Sequence, residues 1–288
     1  MSKRQSKKRA ILSVNIAVFL FGLVGLFAKS IRLSALEMTF WRVLFSSGAL
    51  GLFMLATRQS FRVRCRRDAL VLAGAGVVLA LHWWSFLGAI QVSTVAIGTI
   101  TFSSFPLFIA FLEPLFFPQK LLLKNVIIAL VILGGVAVTI PEFSMENRTS
   151  LGVLIGMFST FLYAVMALLN KFLSKRYGST MTAFYEQAVA AAALLPLVLG
   201  GWAVPGGRDL LLLALLGVLT TALAHTLFIS SLNSIPAQLA GVLSSMETVY
   251  GILMAWAVLG EAPALRECVG AAVIIGTVLF AQMQSRDE

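Results

Sequence analysis

Ala129-Leu130-Val131-Ile132-Leu133-Gly134-Gly135-Val136 is answered 142 positions later by Ala271-Ala272-Val273-Ile274-Ile275-Gly276-Thr277-Val278. Ala, Val, Ile, Gly and Val fall on themselves within those two stretches. The same offset lays Phe19-Leu20 on Phe161-Leu162, Leu26 on Leu168, Lys29 on Lys171 and Ser103 on Ser245. Any two apolar helices share some Leu and Val by chance. The weight therefore rests on the unchanged offset across several segments and on the paired lysines. The chain reads as a duplication, with a first unit at 1–141 and a second at 150–284.

Composition says what kind of unit is repeated. Of 288 residues, 59% are hydrophobic and 12% charged, against about 45–50% and about 25% in soluble domains. An ordinary soluble enzyme is excluded. At about 20 residues per span, the chain holds roughly ten transmembrane helices and no separate soluble domain. Apolar segments recur at 10–29, 36–57, 69–90, 94–113, 122–140, 151–173, 180–201, 209–232, 236–259 and 264–283. The basic start followed by an apolar run resembles a signal peptide, but the run is too long for one and no clean cleavage site follows. It reads as a retained first helix. The strongly hydrophilic loop is Arg58 to Asp68, and Pro141 to Ser150 joins the units.

Basic residues orient the spans. With a cytoplasmic N-terminus, the inner segments carry Lys3, Arg4, Lys7, Lys8, Arg9, Arg58, Arg62, Arg64, Arg66, Arg67, Lys120, Lys124, Lys171, Lys175, Arg176 and Arg286. The outer ones carry Lys29, Arg32, Arg148, Arg208 and Arg266. The positive-inside rule then places both termini in the cytoplasm of, most simply, a bacterial inner membrane. The net charge of +10 is a topology signal and does not call for a nucleic-acid partner. Five spans per unit is odd, so the second unit starts on the opposite side from the first. The expected fold is an all-α membrane protein of ten transmembrane helices arranged as two inverted five-helix repeats. That architecture is common among carriers whose substrate site lies near the midplane.

Trp83 to Val138 and His225 to Phe280 resemble the EamA-type repeat of the drug/metabolite transporter superfamily. The resemblance is carried by Leu259-Gly260-Glu261 after the ninth span, by Gly134 and Gly276 in the last span of each unit, and by the placement of Arg42. It also rests on Ser245-Met246-Glu247-Thr248 and Ser104-Phe105-Pro106, in the middle of the ninth and fourth spans. Phe117-Pro118-Gln119 departs from the usual Gly-Glu ending, and Thr248 stands where the first unit has Pro106. The resemblance implies a ten-helix carrier, usually an exporter or exchanger of small metabolites such as amino acids. It also implies a cavity lined from the first, third, fourth, sixth, eighth and ninth spans.

Ionisable residues inside a bilayer are costly unless they face a cavity or a partner, and this chain has few. Glu247 lies mid-span in the ninth helix and His225 deep in the eighth. A mid-span carboxylate beside an imidazole can relay protons, since a carboxylate resists burial as an anion and an imidazole exchanges its proton near neutral pH. The alternative for Glu247 is a structural pair with Arg42, and for His225 a bond to a carbonyl one turn away. Glu186 lies about two turns into the seventh span, where it either acts in coupling or snorkels to the inner face. His82, Trp83 and Tyr163 offer aromatic faces for a planar or cationic ligand. Trp83 and Trp84 point about 100° apart, so at most one meets a ligand. Thr101, Ser103 and Ser104 precede Pro106, whose missing amide opens a kink, and are expected to line a polar site. Glu37, Glu261 and Lys171 sit at span ends and read as capping or topology residues. The candidates for substrate binding or coupling are thus Glu247, His225, His82, Trp83, Arg42, Tyr163, Ser104 and Glu186.

The expected partners are a small-molecule substrate and the lipid bilayer, with a homodimer left open. No cofactor or metal is expected: Cys65 and Cys268 form no CxxC pair, and no Walker motif is present. Two readings compete with a secondary carrier. One is a lipid or lipid-linked-sugar translocase subunit, to which the basic loop could bring anionic headgroups. The other is a membrane-embedded enzyme, which would need a clustered acidic or nucleophile–base site that the sequence does not show.

Overall fold

The computed structural model describes residues 3–118, 121–139, 144, 146–201 and 204–284. Gln119, Lys120, Pro141 and Arg286, used above for loops and orientation, lie outside the described residues. The described chain is helical: α1 (Lys3–Gly22), α2 (Val24–Ser30), α3 (Ala35–Ala56), α4 (Arg66–Val92), α5 (Val95–Phe102), α6 (Phe105–Phe116), α7 (Leu123–Val138), α8 (Arg148–Ser174), α9 (Ser179–Leu199), α10 (Gly207–Gly217), α11 (Ala224–Ser231), α12 (Ala237–Ser244), α13 (Met246–Met254) and α14 (Leu265–Gln284). Two π-helical segments, Val218–Leu223 and Ala255–Leu259, follow α10 and α13.

Among the described residues, eight helical stretches are long and apolar enough to cross a bilayer. They are Ser6–Ser30, Ala35–Ala56, Arg66–Val92, Val95–Phe116, Arg148–Ser174, Ser179–Leu199, Gly207–Ser231 and Ala237–Leu259. The other two expected spans correspond to α7, with 16 residues, and α14, with 20. At 1.5 Å per residue α7 is about 24 Å long, shorter than the roughly 30 Å hydrocarbon core. Leu12, Leu52, Leu115, Leu123, Trp256 and Val258 are exposed on the outer surface of the helices, where water would penalise them and lipid would not.

The duplication is visible in which helices touch. The third span packs on the sixth, and the first on the eighth; the third packs on the seventh, and the second on the eighth. The fourth span meets the sixth, and the first meets the ninth. Each contact recurs when the units are exchanged. Three further pairs map onto themselves: second with seventh, fourth with ninth, fifth with tenth. Reciprocity of this kind is what an internal two-fold produces.

Two spans are broken at equivalent places, the fourth at Ser103-Ser104 and the ninth at Ser245. Pro106, in the first turn of α6, has no amide to continue the ladder. Carbonyls around the break also take hydroxyls from the opposing span. Thr248 Oγ1 donates to the Thr99 carbonyl at 2.7 Å, Ser245 Oγ donates to the Ser103 carbonyl at 3.4 Å, and the Ser103 and Thr248 hydroxyls bond to each other. Glycines let the spans close on this crossing. A Cβ at Gly22 would sit 2.6 Å from the Tyr250 Cβ, and one at Gly241 would sit 2.9 Å from the Phe105 ring.

Span ends are capped as their residues suggest. Ser34 and Glu37 form a reciprocal capping box on α3, so Glu37 is a capping residue. Gly260 adopts φ +69°, a left-handed turn that a side chain would strain. The turn lets Glu261 swing back, and its Oε2 accepts from the Val95 amide at the start of α5, 3.4 Å away. At the other end of the molecule, Asp68 binds Arg176 and the Tyr177 hydroxyl, and that hydroxyl accepts from the Arg64 amide at 2.9 Å. The hydrophilic loop is thereby fastened to the connection between α8 and α9. Tyr177 is held above the usual phenol range, first by burial and then by this bond to Asp68.

Candidate functional site

A cavity lies at the crossing of the broken spans, lined by Phe21, Val24, Arg42, His82, Trp83, Phe86, Phe102, Tyr163 and Glu247. It measures about 20 Å³, room for roughly one water. Its walls come from the first, second, third, fourth, sixth and ninth spans. The expected set is corrected on one point: Arg42 brings in the second span, and the eighth contributes none of these lining residues.

Arg42 is 1% exposed and is oriented from two sides. Its guanidinium carbon lies 4.1 Å over the Trp83 ring, and its Nε donates to Thr221 Oγ1 at 3.0 Å. Thr221 sits in the π-helical segment of the eighth span and back-bonds to the Leu216 carbonyl five residues earlier. The widened turn is what brings its hydroxyl toward Arg42. Arg42 Nη1 has no hydrogen-bond partner among the described residues. Glu247, 3% exposed, faces the same cavity, within charge–charge range of Arg42. No ion pair joins the two among the described residues. The pocket thus presents a guanidinium and a carboxyl group separately, beside the unpartnered Tyr163 hydroxyl.

The aromatic wall is continuous. Tyr163 packs 4.8 Å from His82, 4.9 Å from Phe102 and 5.0 Å from Phe105. His82 Nδ1 donates to the Ser159 carbonyl at 2.9 Å, and the Ser159 hydroxyl donates to the His82 carbonyl at 2.9 Å. This exchange between α4 and α8 fixes the imidazole with one edge on the cavity. Trp83 is 4% exposed, whereas Trp84 is 39% exposed on the outer surface.

Three expectations are corrected. His225 does not meet Glu247; its Nε2 lies 2.7 Å from Glu186 Oε2. Glu186 does not snorkel, because both it and His225 are 0% exposed. Depth along one helix does not reveal that α8 and α11 cover that face. Ser104 does not line the cavity: its hydroxyl donates to the Thr101 carbonyl and touches Met157 Sδ. Thr101 and Ser103 likewise spend their hydroxyls on helix carbonyls or on Thr248. Lys171 forms an ion pair with Glu113 and lies 4.8 Å from the Phe117 ring centroid. Thr221 and Phe21 were not singled out in the sequence. Thr221 carried no signal, since its role depends on a π-turn, and Phe21 looks like any apolar helix residue.

An all-helical bundle with membrane-length apolar spans, two-fold exchange of its halves and a charged cavity where two broken helices cross is an integral membrane protein of the internal-repeat type. The chain belongs to the EamA-like transporter family, whose model matches residues 8–140 and again 150–283. It is a transporter rather than an enzyme. An uncharacterized transporter of Archaeoglobus fulgidus is 25% identical over 93% of this chain and 94% of its own. An S-adenosylmethionine uptake transporter of Rickettsia conorii is 23% identical over 92% of this chain and 91% of its own. A protein of known crystal structure covers 96% of this chain and 98% of its own, with a TM-score of 0.75 at 18% identity. That likeness concerns the fold alone.

Proposed function

We propose that this protein is a secondary transporter of small organic metabolites, amino-acid-like molecules among them, working by alternating access at the cavity between its two repeats. In this reading α7 and α14 complete ten spans. The repeats are inverted about an axis in the membrane plane, and both termini face the cytoplasm across a plasma membrane. One observation carries the reading: Arg42 and Glu247, buried and not paired with each other, face one small aromatic cavity. A guanidinium and a carboxyl group held apart fit a ligand that carries both charges, and a planar group would meet Tyr163, Phe102 and His82. Space for about one water is too little for such a ligand, so binding requires the flanking spans to part. Transport then consists of parting them on alternate sides.

The Rickettsia relative's name supports S-adenosylmethionine as the first probe, since that molecule joins a planar base to a carboxylate and cationic groups. Purified protein in proteoliposomes should accumulate labelled S-adenosylmethionine or an amino acid from a panel. Glu247→Gln and Arg42→Gln should each lower the flux by about tenfold or more, the loss of one buried charge-assisted contact. Flux unchanged in both variants would remove the cavity from the transport path.

A further inference from the structure

Behind Trp83, outside the cavity, lies a second polar cluster. Glu186 on α9, His225 on α11 and Asn170 on α8 are all 0% exposed. Glu186 Oε2 is bonded to His225 Nε2 at 2.7 Å and accepts from Asn170 Nδ2 at 3.4 Å. Three atoms of the same cluster are left buried without a hydrogen-bond partner: Glu186 Oε1, His225 Nδ1 and Asn170 Oδ1. A bridge serving only packing would be expected to use its polar atoms, because orphaned buried groups are rare and costly. Here the carboxylate and the imidazole each keep an open position.

We infer that the Glu186–His225 pair is the proton-binding site of this carrier, separate from the substrate cavity and coupled to it through Trp83 and by charge balance. The inference rests on the transport reading above. When His225 Nε2–H donates to an ionised Glu186, the pair carries a single negative charge. A further proton leaves a hydronium ion, whose O–H bond breaks to give water, and forms a new N–H bond on the Nδ1 lone pair or a new O–H bond on Glu186 Oε1; the pair becomes neutral. Release reverses the step.

The groups facing the pair fix the sign of the coupling. Packed against α9 are α3, α4, α8 and α11. They bring Arg42, His82, Tyr163 with Lys171, and His225 respectively. Lys171 is neutralised by Glu113. His82 and Tyr163 are counted as neutral within their ring cluster. A proton taken up by the pair adds one positive charge to this enclosed interior. A ligand of net positive charge in the cavity adds the same, so proton and cation oppose each other without sharing a site. Trp83 is the physical link, with the Arg42 guanidinium on its face at 4.1 Å and the His225 ring edge-on at 5.7 Å. Tyr163 stands within charge–charge range of both Glu186 and Glu247.

Infrared difference spectra between acid and alkaline buffer read the pair with no ligand present. Wild type should show a titrating carboxyl or imidazole band that Glu186→Gln and His225→Gln each remove and Glu247→Gln keeps. In proteoliposomes containing a trapped pH dye, uptake of S-adenosylmethionine, a net monocation, should expel one proton per molecule in wild type and none in Glu186→Gln. A Glu186→Gln spectrum superimposable on wild type, or unchanged proton release in that variant, overturns the inference. If Glu186→Gln does not fold, His225→Gln delivers the same two readouts. A protein whose band vanishes as expected but which carries no solute retains its proton site, and it is the transport reading that fails.

Discussion

Arg42 could be singled out from the sequence because a charge inside an apolar span is conspicuous, but nothing in the sequence shows what holds it. Thr221 is 179 residues away, and Trp83 is one of two adjacent tryptophans of which only geometry selects one. The guanidinium uses two properties at once, a planar face on the indole and a directed Nε–H toward the hydroxyl. Lysine has neither a plane nor a fixed donor direction. Arg42→Lys should therefore keep the buried charge and the fold while losing the orientation. We expect ligand affinity to fall by about 10-fold or more, the equivalent of roughly 1–3 kcal/mol for a stacked and hydrogen-bonded cation. Thermal-shift titration of wild type and variant with the transported solute checks this. Equal affinity would mean that the guanidinium plane plays no part in binding. Glu186 shows the complementary limit. Sequence places it at a depth that suits snorkelling, and only the packing of α8 and α11 over its face turns it into an enclosed partner of His225.

At the level of helices, the break in the fourth span could be read from Pro106, whereas the ninth span has Thr248 in that register and no proline. Its break is held instead by hydroxyl chemistry: Thr248 Oγ1 supplies a donor to the Thr99 carbonyl and contacts Ser103. The recurring Ser103 and Ser245 were visible as repeat partners, but a serine by itself does not announce a broken helix. The π-helical segments were equally hidden, since they insert no characteristic residue. Thr248→Val keeps the shape and deletes the donor, removing the bond between the two spans, while the Thr99 carbonyl keeps the Ser103 amide. Hydrogen bonds between membrane helices are worth about 0.6–2 kcal/mol, and a loss of that order should appear as a lower melting temperature in detergent. Thr248→Ser, which preserves the donor, should recover most of it. A Val variant as stable as wild type would show that the crossing is held by packing at Gly22, Gly241 and Gly251 alone.

Across the whole molecule, the duplication was readable because it rests on a constant offset, and the helix contacts reproduce it as exchange of the two halves. The orientation of those halves follows from a different argument, the parity of five spans and the placement of Lys and Arg. The two cysteines test it without new labelling sites, since both Cys65 and Cys268 are exposed. Cys65 sits in the basic loop between the second and third spans, and Cys268 in the first turns of α14. If the repeats are inverted and the N-terminus is cytoplasmic, these thiols lie on opposite sides of the membrane. An impermeant maleimide added to intact cells should label the Cys65→Ser protein at Cys268 and leave the Cys268→Ser protein untouched until the cells are opened. The reverse pattern would invert the topology while keeping the two-fold. Labelling of both thiols from outside would break the parity argument, because an odd number of spans, the third to the ninth, could not then separate them. Either result would also relocate the Asp68–Arg176–Tyr177 fastening, which in the present reading holds the cytoplasmic ends of α4 and α8 together.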